Sequence, residues 1–435
     1  MYNMCMHRSV THIVLFLLLP VSVCCAQEEK KALTWLECVF LAQKNHPDLI
    51  SAQENVKEAQ ASLDVTASGQ YPQASATAGV STSHSRTKDD STGSTSTATT
   101  NAYSYGASAS QLLFDGSKTS SKVSAGRENV NVAQQAFRYA SVDVRQRLRS
   151  AFISVLKGQE SVKIMQEIFD IRRSNLELIT LRYESGTEHR GALLSAQANS
   201  AQAAHELAQA RRALESARYQ LIKEMGVEQY PDISVTGDFE VSVSLKDKPD
   251  MRAITDNHPS VQKLAAQTRA ASFGIKVNEA DFWPALSITA GANKTGAHWP
   301  PHNSALTTGL SLSWPFLEGG LRQAQVAQSR SQLIQAQADQ RSGRSGVLLT
   351  LEQKWAALQD AVENVAVQRR FLAAAEERSA IAEAQYSMGL LKFDNWTIIE
   401  DNLVSAKKTF IDAQANALLA EANWIMAKGE TLEYN

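Results

Sequence analysis

The tripeptide Asn45-His46-Pro47 occurs a second time as Asn257-His258-Pro259, 212 residues further along the chain. Four more pairs of segments match in the same order: Tyr71-Pro72 with Trp283-Pro284, Ala78-Gly79 with Ala290-Gly291, Phe114-Asp115-Gly116 with Leu317-Glu318-Gly319, and Tyr183–Gly186 with Tyr386–Gly389. The first two of these pairs keep the offset of 212, and the last two stand at an offset of 203. Ordered matches at two consistent offsets indicate two copies of one structural unit.

Each copy is predicted to contain a helix, two strands, a long helix, a tight turn and a final helix. Clean alternation of apolar residues with serine, threonine and glycine indicates the strands. The predicted boundaries are 27–225 for the first copy, 226–250 for a linker between the copies, 251–435 for the second copy, and about 73–81, 103–113, 285–293 and 306–316 for the four strands. The predicted fold class is therefore mostly α with a small β part.

Proline is absent from two long stretches of the chain. None of the 10 prolines lies between Pro72 and Pro231 or after Pro315, so very long helices are permitted there. Helices are predicted from Gly116 to about Tyr183 and from Gly319 to Tyr386. In the first of them an apolar residue recurs at steps of three, four or seven: Leu148, Phe152, Val155, Val162, Met165, Phe169, Leu176 and Ile179. Such a narrow seam predicts coiled-coil packing against neighbouring helices.

Three shorter features complete the predicted unit. The first helix is expected from about Leu33 to Ser68, with a capping box formed by Thr34 and Glu37 and a kink or break at Pro47. Residues 81–100 contain 13 Ser or Thr and are predicted to form a mobile, solvated loop. A short edge strand is predicted in the linker, between Val235 and Leu245.

The N-terminus resembles a secretory signal peptide at residues 1–26. An apolar run at 13–19 follows Arg8, and the small side chains of Cys24 and Ala26 suit cleavage after Ala26. In the alternative interpretation, Cys24 or Cys25 becomes a lipid-carrying N-terminus. Cleavage after Ala26 leaves Cys38 as the single cysteine, which excludes a disulfide framework.

The predicted strands have the features of membrane strands. Each is about 9 to 11 residues long, one face is apolar, and the other carries almost only serine, threonine and glycine. Aromatic residues lie at or near the strand ends, as in the interfacial belts of membrane barrels: Tyr103, Tyr105, Trp283, Trp299 and Trp314. A membrane sheet must close on itself, and four strands are too few, so several chains would share one barrel. A half-buried sheet in a soluble protein is the alternative.

These motifs, in this order and duplicated, resemble the outer-membrane efflux proteins of the TolC-like family over the whole mature chain. The resemblance implies a homotrimer in which each chain gives four strands to a 12-stranded barrel and its helices form a periplasmic tunnel. It implies an exit duct of a tripartite efflux or secretion system, set in outer-membrane lipid and extending into the periplasm. The implied partners are a periplasmic adaptor protein and an inner-membrane transporter, either proton-driven or ATP-driven.

The resemblance also implies functional positions at the turns that end the long helices. The residues expected to contact the adaptor at these periplasmic tips are Tyr183, Gly186, Thr187, Tyr386, Gly389 and Leu390. The residues expected to line the tunnel entrance are Asp394 and Asn395. Many relatives carry aspartates six and nine residues after the second tip glycine, where this chain has Asn395 and Ile398. Asp394 could supply a cation-selecting ring in a trimer or could be a solvated helix residue.

No motif for catalysis is present in the sequence. A Gly-rich phosphate loop, a His-Glu-x-x-His pair and a nucleophile elbow are all missing, and no catalytic residue, cofactor or metal site is predicted. The 43 Lys and Arg balance the 45 Asp and Glu, which argues against a nucleic-acid partner. Two alternatives to a duct remain: an exported coiled-coil interaction or structural protein with no barrel, and an enzyme with an unrecognised site.

Overall fold

The computed structural model describes residues 32–228, 233–240 and 248–433. The predicted signal peptide at 1–26, including Cys24 and Cys25, lies outside the described residues, as does the part of the predicted linker strand at 241–247.

The described chain contains the same series of elements twice. The first series is β1 (Ala32–Leu33), α1 (Trp35–Asn45), α2 (Pro47–Ser68), β2 (Gln73–Lys88), β3 (Thr95–Phe114), α3 (Lys118–Glu184) and α4 (Arg190–Met225). The second series is β4 (Ser234–Val235), α5 (Met251–Asn257), α6 (Pro259–Ala280), β5 (Ala285–Gly296), β6 (Asn303–Ser313), α7 (Leu321–Ser387) and α8 (Phe393–Lys428). Both α3 and α7 have 67 residues, a length of about 100 Å at 1.5 Å per residue.

The predicted first helix is divided at His46. Thr34 and Glu37 form the expected capping box at the start of α1. His46 ends α1 with an extended backbone and caps α2, its Nδ1 accepting the Asp48 N–H at 3.1 Å. Pro47 then stands at the first position of α2, where its missing N–H needs no partner. The helix is therefore broken at His46 and not merely kinked at Pro47.

The four long strands form one antiparallel sheet in the order β2-β3-β5-β6. Its register places residues of one parity on one face, for example Ala76 with Ala107, Ala292 and Leu306. The next row, Thr77 with Gly106, Asn293 and Ala305, lies on the opposite face. The strands β2 and β6 are the outer members, and each has one unpaired edge. The short strands β1 and β4 pair with each other in a separate parallel sheet.

The predicted loop at 81–100 is wrong, because most of it is strand. Pairing of β2 with β3 continues to Lys88 and Thr95, well beyond the expected ends near 81 and 103. The backbone groups on the facing edges of this extension pair with each other, and hydrogen bonds join side chains across the pair, from Thr82 to Asn101 at 2.9 Å and between His84 and Thr99 at 2.7 Å. Threonine favours strands because its branched side chain fits a pleated surface. Low hydrophobicity alone therefore did not prevent regular structure here.

The second pair of strands also differs from its predicted bounds. β5 extends to Gly296, and β6 ends at Ser313, short of the expected 316. Pro315 has no N–H to donate to a partner strand, and Trp314 turns its indole N–H towards the Phe282 carbonyl at 3.2 Å. The helices then resume at Leu321.

The helices pack in two consecutive rows. Beside the sheet the order of contacts is α2–α3–α6–α7, and towards the far ends of the long helices it is α4–α3–α8–α7. Residues of the predicted seam are buried where α3 meets its neighbours, among them Leu148, Phe152, Val155 and Ile179. Among the described helices, none combines the length and the apolar character that crossing a bilayer requires.

Each Asn-His-Pro junction is packed against the glycine that ends the last helix of its own copy. Gly226 follows α4 with φ +70°, and a Cβ there would lie 2.5 Å from the Asn45 carbonyl oxygen. Gly429 follows α8 with φ +78°, and its Cβ would lie 2.7 Å from Pro259 Cδ. Both glycines are required twice over, by a left-handed backbone and by a close approach. The two contacts tie the start and the end of each copy together.

The two junctions differ in charge. In the first copy, His46 Nε2 donates to buried Glu224 at 3.4 Å, and Arg147 approaches the same carboxylate at 3.5 Å. In the second copy, Glu224 is matched by Ala427 at the offset of 203. His258 there accepts the Ser260 N–H at 3.2 Å, and burial lowers its pKa below the usual 6.5. One junction is thus held by charge and the other by a neutral imidazole.

Replacing Gly226 or Gly429 with alanine should destabilise the protein by about 2–4 kcal/mol, because strain at positive φ adds to a clash of the new Cβ, with the Asn45 backbone at Gly226 and with the Pro259 and His258 rings at Gly429. The measurement is urea unfolding of each variant in detergent. Gly346→Ala is the matched control: it lies within α7 with no atom near its added Cβ. That change should stabilise the helix by up to about 1 kcal/mol. Equal midpoints for all three variants would contradict the proposed role of the junctions.

Candidate functional site at the helical tips

The two long helices end in the same backbone motif. Gly186 has φ +75° and Gly389 has φ +76°, and open space surrounds the position of a Cβ at each. The N–H of Thr187 donates to the Arg182 carbonyl at 2.9 Å, and the N–H of Leu390 donates to the Gln385 carbonyl at 2.9 Å. These are the six-to-one hydrogen bonds of a Schellman motif. Glycine is needed at both turns for its backbone conformation alone.

An aromatic cluster joins the two turns. The rings of Tyr386 and Trp396 are stacked, with centroids 4.4 Å apart and planes 8° from parallel, and Phe393 stands edge-on to both. Ile179 of α3 and Ala192 of α4 are buried in the same cluster. The ends of α3, α4, α7 and α8 are therefore held together by one small core.

Polar contacts add to the aromatic cluster. The Arg182 guanidinium lies 4.5 Å from the centre of the Tyr386 ring, and its Nη2 donates to the Ser387 carbonyl at 3.4 Å. The Tyr386 hydroxyl donates to Glu188 Oε1 at 3.4 Å. Burial, and secondarily the negative charge of Glu188, raise the pKa of Tyr386, so the hydroxyl keeps its proton. These contacts run from the first copy to the second. They tie the helical hairpin α3–α4 to the helical hairpin α7–α8.

The six residues predicted to contact a partner do not share one environment. Tyr183, Gly186, Thr187, Gly389 and Leu390 are exposed. Tyr386 is only 2% exposed because it is enclosed by the aromatic cluster, so it is unavailable to a partner in this conformation. Tyr183 occupies the equivalent position in the first copy, at the offset of 203, yet it stands on the surface. We therefore remove Tyr386 from the expected contact surface and place it in the contact between the hairpins.

The two residues predicted to line an entrance, Asp394 and Asn395, lie side by side on the first turn of α8, both exposed. The next carboxylates along α8 have partners within the chain. Buried Glu400 accepts a hydrogen bond from the Ser379 hydroxyl, and Asp401 pairs with Arg172 of α3 at 2.6 Å. Asp394 faces solvent, and among the described residues it makes no such contact.

Sequence analysis did not identify Arg182 and Phe393 as members of the site. Trp396 packs between the helices at 4% exposure. The aromatic residues come from one copy only, since Phe393 and Trp396 correspond to Arg190 and Leu193 in the first copy. That departure from the repeat was the available signal. The described residues include no group of His, Cys, Asp or Glu side chains that could hold a metal ion.

Duplicated helical hairpins with tied tips at one end, and a two-faced antiparallel sheet at the other, define the class of TolC-like outer-membrane channels. The family described as outer membrane efflux protein matches residues 39–227 and 251–430. Those two segments coincide with the two copies of the repeat. The chain belongs to the outer membrane efflux protein family, and it is an efflux channel of the outer membrane.

Curated relatives and solved structures agree with this family. The outer membrane efflux protein BepC of Brucella suis is 21% identical, over 89% of this chain and 83% of that protein. The probable outer membrane lipoprotein SilC of Salmonella typhimurium is 24% identical, over 89% of this chain and 84% of its own length. The open state of the MtrE outer membrane channel of Neisseria gonorrhoeae shares the fold, with a TM-score of 0.78 at 16% identity and coverage of 92% and 90% of the two chains.

Replacing Trp396 with alanine should loosen the tips, because truncating a buried aromatic ring costs about 3–5 kcal/mol. Hydrogen–deuterium exchange of the amides in residues 176–200 and 380–400 should become about 100- to 4,000-fold faster, since each 1.4 kcal/mol is a factor of ten. Ile398→Ala is the control, because Ile398 lies on the same helix turn with its side chain in solvent. If both variants exchange like the unaltered protein, the aromatic cluster does not hold the tips.

Proposed function

We propose that three copies of this chain form one passive exit duct, with a 12-stranded barrel in the outer membrane and a helical tunnel in the periplasm. The observation that carries the proposal is that both layers of the chain are open arrays. The sheet ends at β2 and β6, and the helix row beside it ends at α2 and α7. The two arrays have the same order, so one rotation that joins β6 to the next β2 also joins α7 to the next α2.

The free sheet edges support closure between copies. In lipid each unpaired peptide group costs several kcal/mol, so a spanning sheet must have no edge. One face of the sheet carries Leu306, Leu310 and Leu312, while the opposite face carries serine, threonine, glycine, asparagine and alanine. An apolar outer face and a hydroxyl-rich lumen are the arrangement of a membrane barrel. Four strands from each of three copies give the 12 strands that the family resemblance implies.

The free helix faces support the same assembly. On α7 beyond Leu321 the exposed large apolar residues fall within an arc of about 100° at 3.6 residues per turn: Ile334, Leu349, Val367, Phe371 and Ile381. On α1 and α2 the exposed apolar residues are Leu36, Phe40, Ile50 and Val65. A continuous apolar stripe on a helix without a partner marks a packing surface. The stripe on α7 is proposed to pack against α2 and α1 of the next copy in its first half, and against α4 of the next copy towards the tips, as the order of the two helix rows requires.

The tips are the proposed contact site for a periplasmic adaptor, which would connect the duct to an inner-membrane transporter. Tyr183, Gly186, Thr187, Gly389 and Leu390 form this surface. Leu390 is 75% exposed. Large apolar residues exposed together favour protein partners over solvent. Asp394 and Asn395 would then line the entrance between the three copies, where three carboxylates favour cations. Transport energy would come from the partner transporter, and the duct would not act as an enzyme.

The contact between the hairpins is proposed to hold the entrance closed. Two side chains of the first hairpin contact the second hairpin of the same chain. Arg182 contacts the Tyr386 ring and the Ser387 carbonyl, and Glu188 accepts from the Tyr386 hydroxyl. Opening would separate these groups while the helices untwist around Gly186 and Gly389. Each contact contributes only about 1–2 kcal/mol, so a docked partner could break them.

The assembly can be tested by the native mass of the protein extracted in mild detergent, which should correspond to three chains. Phe371→Asp should shift the mass towards single chains, because it places a charge in the apolar stripe. Leu390→Asp is the matched change at the tip: it should leave the trimer intact and weaken binding of a purified adaptor. A single-chain mass for the unaltered protein would contradict the shared barrel and favour an exported coiled-coil protein.

The closed entrance can be tested by conductance in planar bilayers. Tyr386→Phe removes the hydrogen bond to Glu188. At about 1 kcal/mol for each chain, this loss should raise the open fraction of channels about 5-fold or more. Tyr183→Phe is the control, because Tyr183 is the equivalent residue of the first copy and lies on the surface. Equal conductance of the two variants would show that the contact does not close the duct.

A further inference from the structure

We propose that the long hairpin β2–β3 binds phosphate-bearing glycolipid headgroups on the outer side of the membrane. This inference rests on the proposed barrel and adds a lipid partner of defined chemistry to it. The charges of the sheet, the register that places them, and the length of the hairpin carry the inference.

The charged residues of the four long strands all have the same sign. Arg86 and Lys88 lie on β2 and Lys294 lies on β5, and the strands contain no aspartate or glutamate. His84 precedes them on β2. The nearest carboxylates are Asp89 and Asp90, which are in the turn beyond the strands. A sheet with this composition presents only cations to its surroundings.

The register places these cations on one face. Lys294 is aligned with Tyr105, which is aligned with Ala78. Successive side chains of a strand point to opposite faces, so Arg86 and Lys88 share the face of Ala78. That face also carries Leu306, and it is the lipid face of the proposed barrel. The lumen face of the strands is free of charge.

The aromatic residues mark the level of the membrane surface on this face. Trp299 lies against Tyr103 and Tyr105, with ring centroids 6.3 Å and 6.0 Å away. Exposed Trp283 and Trp314 lie at the opposite end of the sheet. The ten residues from Ala285 to Lys294 span nine steps, about 30 Å along the strand, or about 23 Å in height at a tilt of 40°. This height matches the apolar band of a membrane barrel, about 25 Å.

The hairpin continues well beyond that level. The outermost residue of β3 that still pairs with β5 is Tyr103, which is aligned with Val80 on β2. Arg86 and Lys88 are six and eight residues further out, about 20 Å and 26 Å along the strand. At a tilt of 40° they stand about 15 Å and 20 Å above the aromatic belt. Beyond Tyr103, β2 and β3 form a two-stranded ribbon, which is marginally stable alone in water.

This reach distinguishes between two classes of anionic lipid. The interfacial layer of a phospholipid bilayer is only about 5–7 Å thick on each side, so its phosphates lie below Arg86 and Lys88. A glycolipid with phosphorylated sugars carries its negative charge further from the acyl chains. Lys294 at the belt and the two cations above it form a ladder suited to such a headgroup. Binding would also hold the ribbon against the outer face of the membrane.

The experiment uses the purified trimer in detergent and follows binding of three probes: a phosphorylated lipopolysaccharide, the same glycolipid after phosphatase treatment, and phosphatidylglycerol. We expect the lipopolysaccharide to bind most tightly, with an affinity that falls as salt rises. The double variant Arg86→Gln/Lys88→Gln should bind it about 25-fold more weakly, at about 5-fold for each cation near an anionic surface. Lys276→Gln/Lys354→Gln is the control, since both residues are exposed cations on the helices and lie outside the apolar stripe of α7, and its affinity should not change.

Each outcome has a definite meaning. Equal binding of the phosphorylated glycolipid by the unaltered trimer and the hairpin variant would overturn the inference and leave the barrel standing. Equal loss for phosphatidylglycerol and the glycolipid would refute the glycolipid as the preferred ligand. If the unaltered protein is a single chain in detergent, the proposed assembly itself fails. Retention of a trimeric mass by the hairpin variant shows that it folds.

Discussion

A helix of 67 residues is too long to pack against one compact core, and the rest of the structure depends on this constraint. At about 100 Å long, α3 and α7 can be held only along narrow seams where a second helix follows the same line. The buried apolar residues therefore fall into several separate small clusters, one around Phe152, another around Trp355, and another around Trp396. One face of α7 meets no other helix of the same chain, and this face carries exposed apolar residues. The open apolar stripe of α7 follows from the length of the helix.

Because the clusters are separate, the chain needs fixed points that set where each helix begins and ends. The Asn-His-Pro junctions provide them. Gly226 and Gly429 allow the last helix of each copy to approach the break between its first two helices. The two fixed points use different chemistry, since Glu224 and Arg147 stabilise the first and a neutral His258 stabilises the second. Duplication thus preserved backbone geometry while the side chains around it diverged.

The parts of the fold that follow from local chemistry could be predicted from the sequence. Proline gaps and the glycines at 186 and 389 gave the long helices to within two residues, because these residue types act directly on φ and hydrogen bonding. The strand pair beyond Ser81 was missed, because its stabilisation comes from the facing strand and not from apolar burial. The docking of Gly226 was missed because its partner, Asn45, lies far away in the sequence. Gly226 and Gly429 nevertheless stand at the repeat offset of 203, which was a usable signal.

The tip contact illustrates how divergence between the copies can produce a switch. Tyr183 and Tyr386 are equivalent, but only Tyr386 has Phe393 and Trp396 beside it, so one copy supplies the aromatic cluster and the other supplies Arg182 and Glu188. A contact made between unlike copies can break without unfolding either hairpin. A partner can shift such a two-state equilibrium only by its differential affinity for the open state. The polar contacts amount to a few kcal/mol for each chain of the trimer. Binding of an adaptor with micromolar affinity releases about 8 kcal/mol, which could supply this energy. The proposed duct therefore needs no energy-converting site of its own.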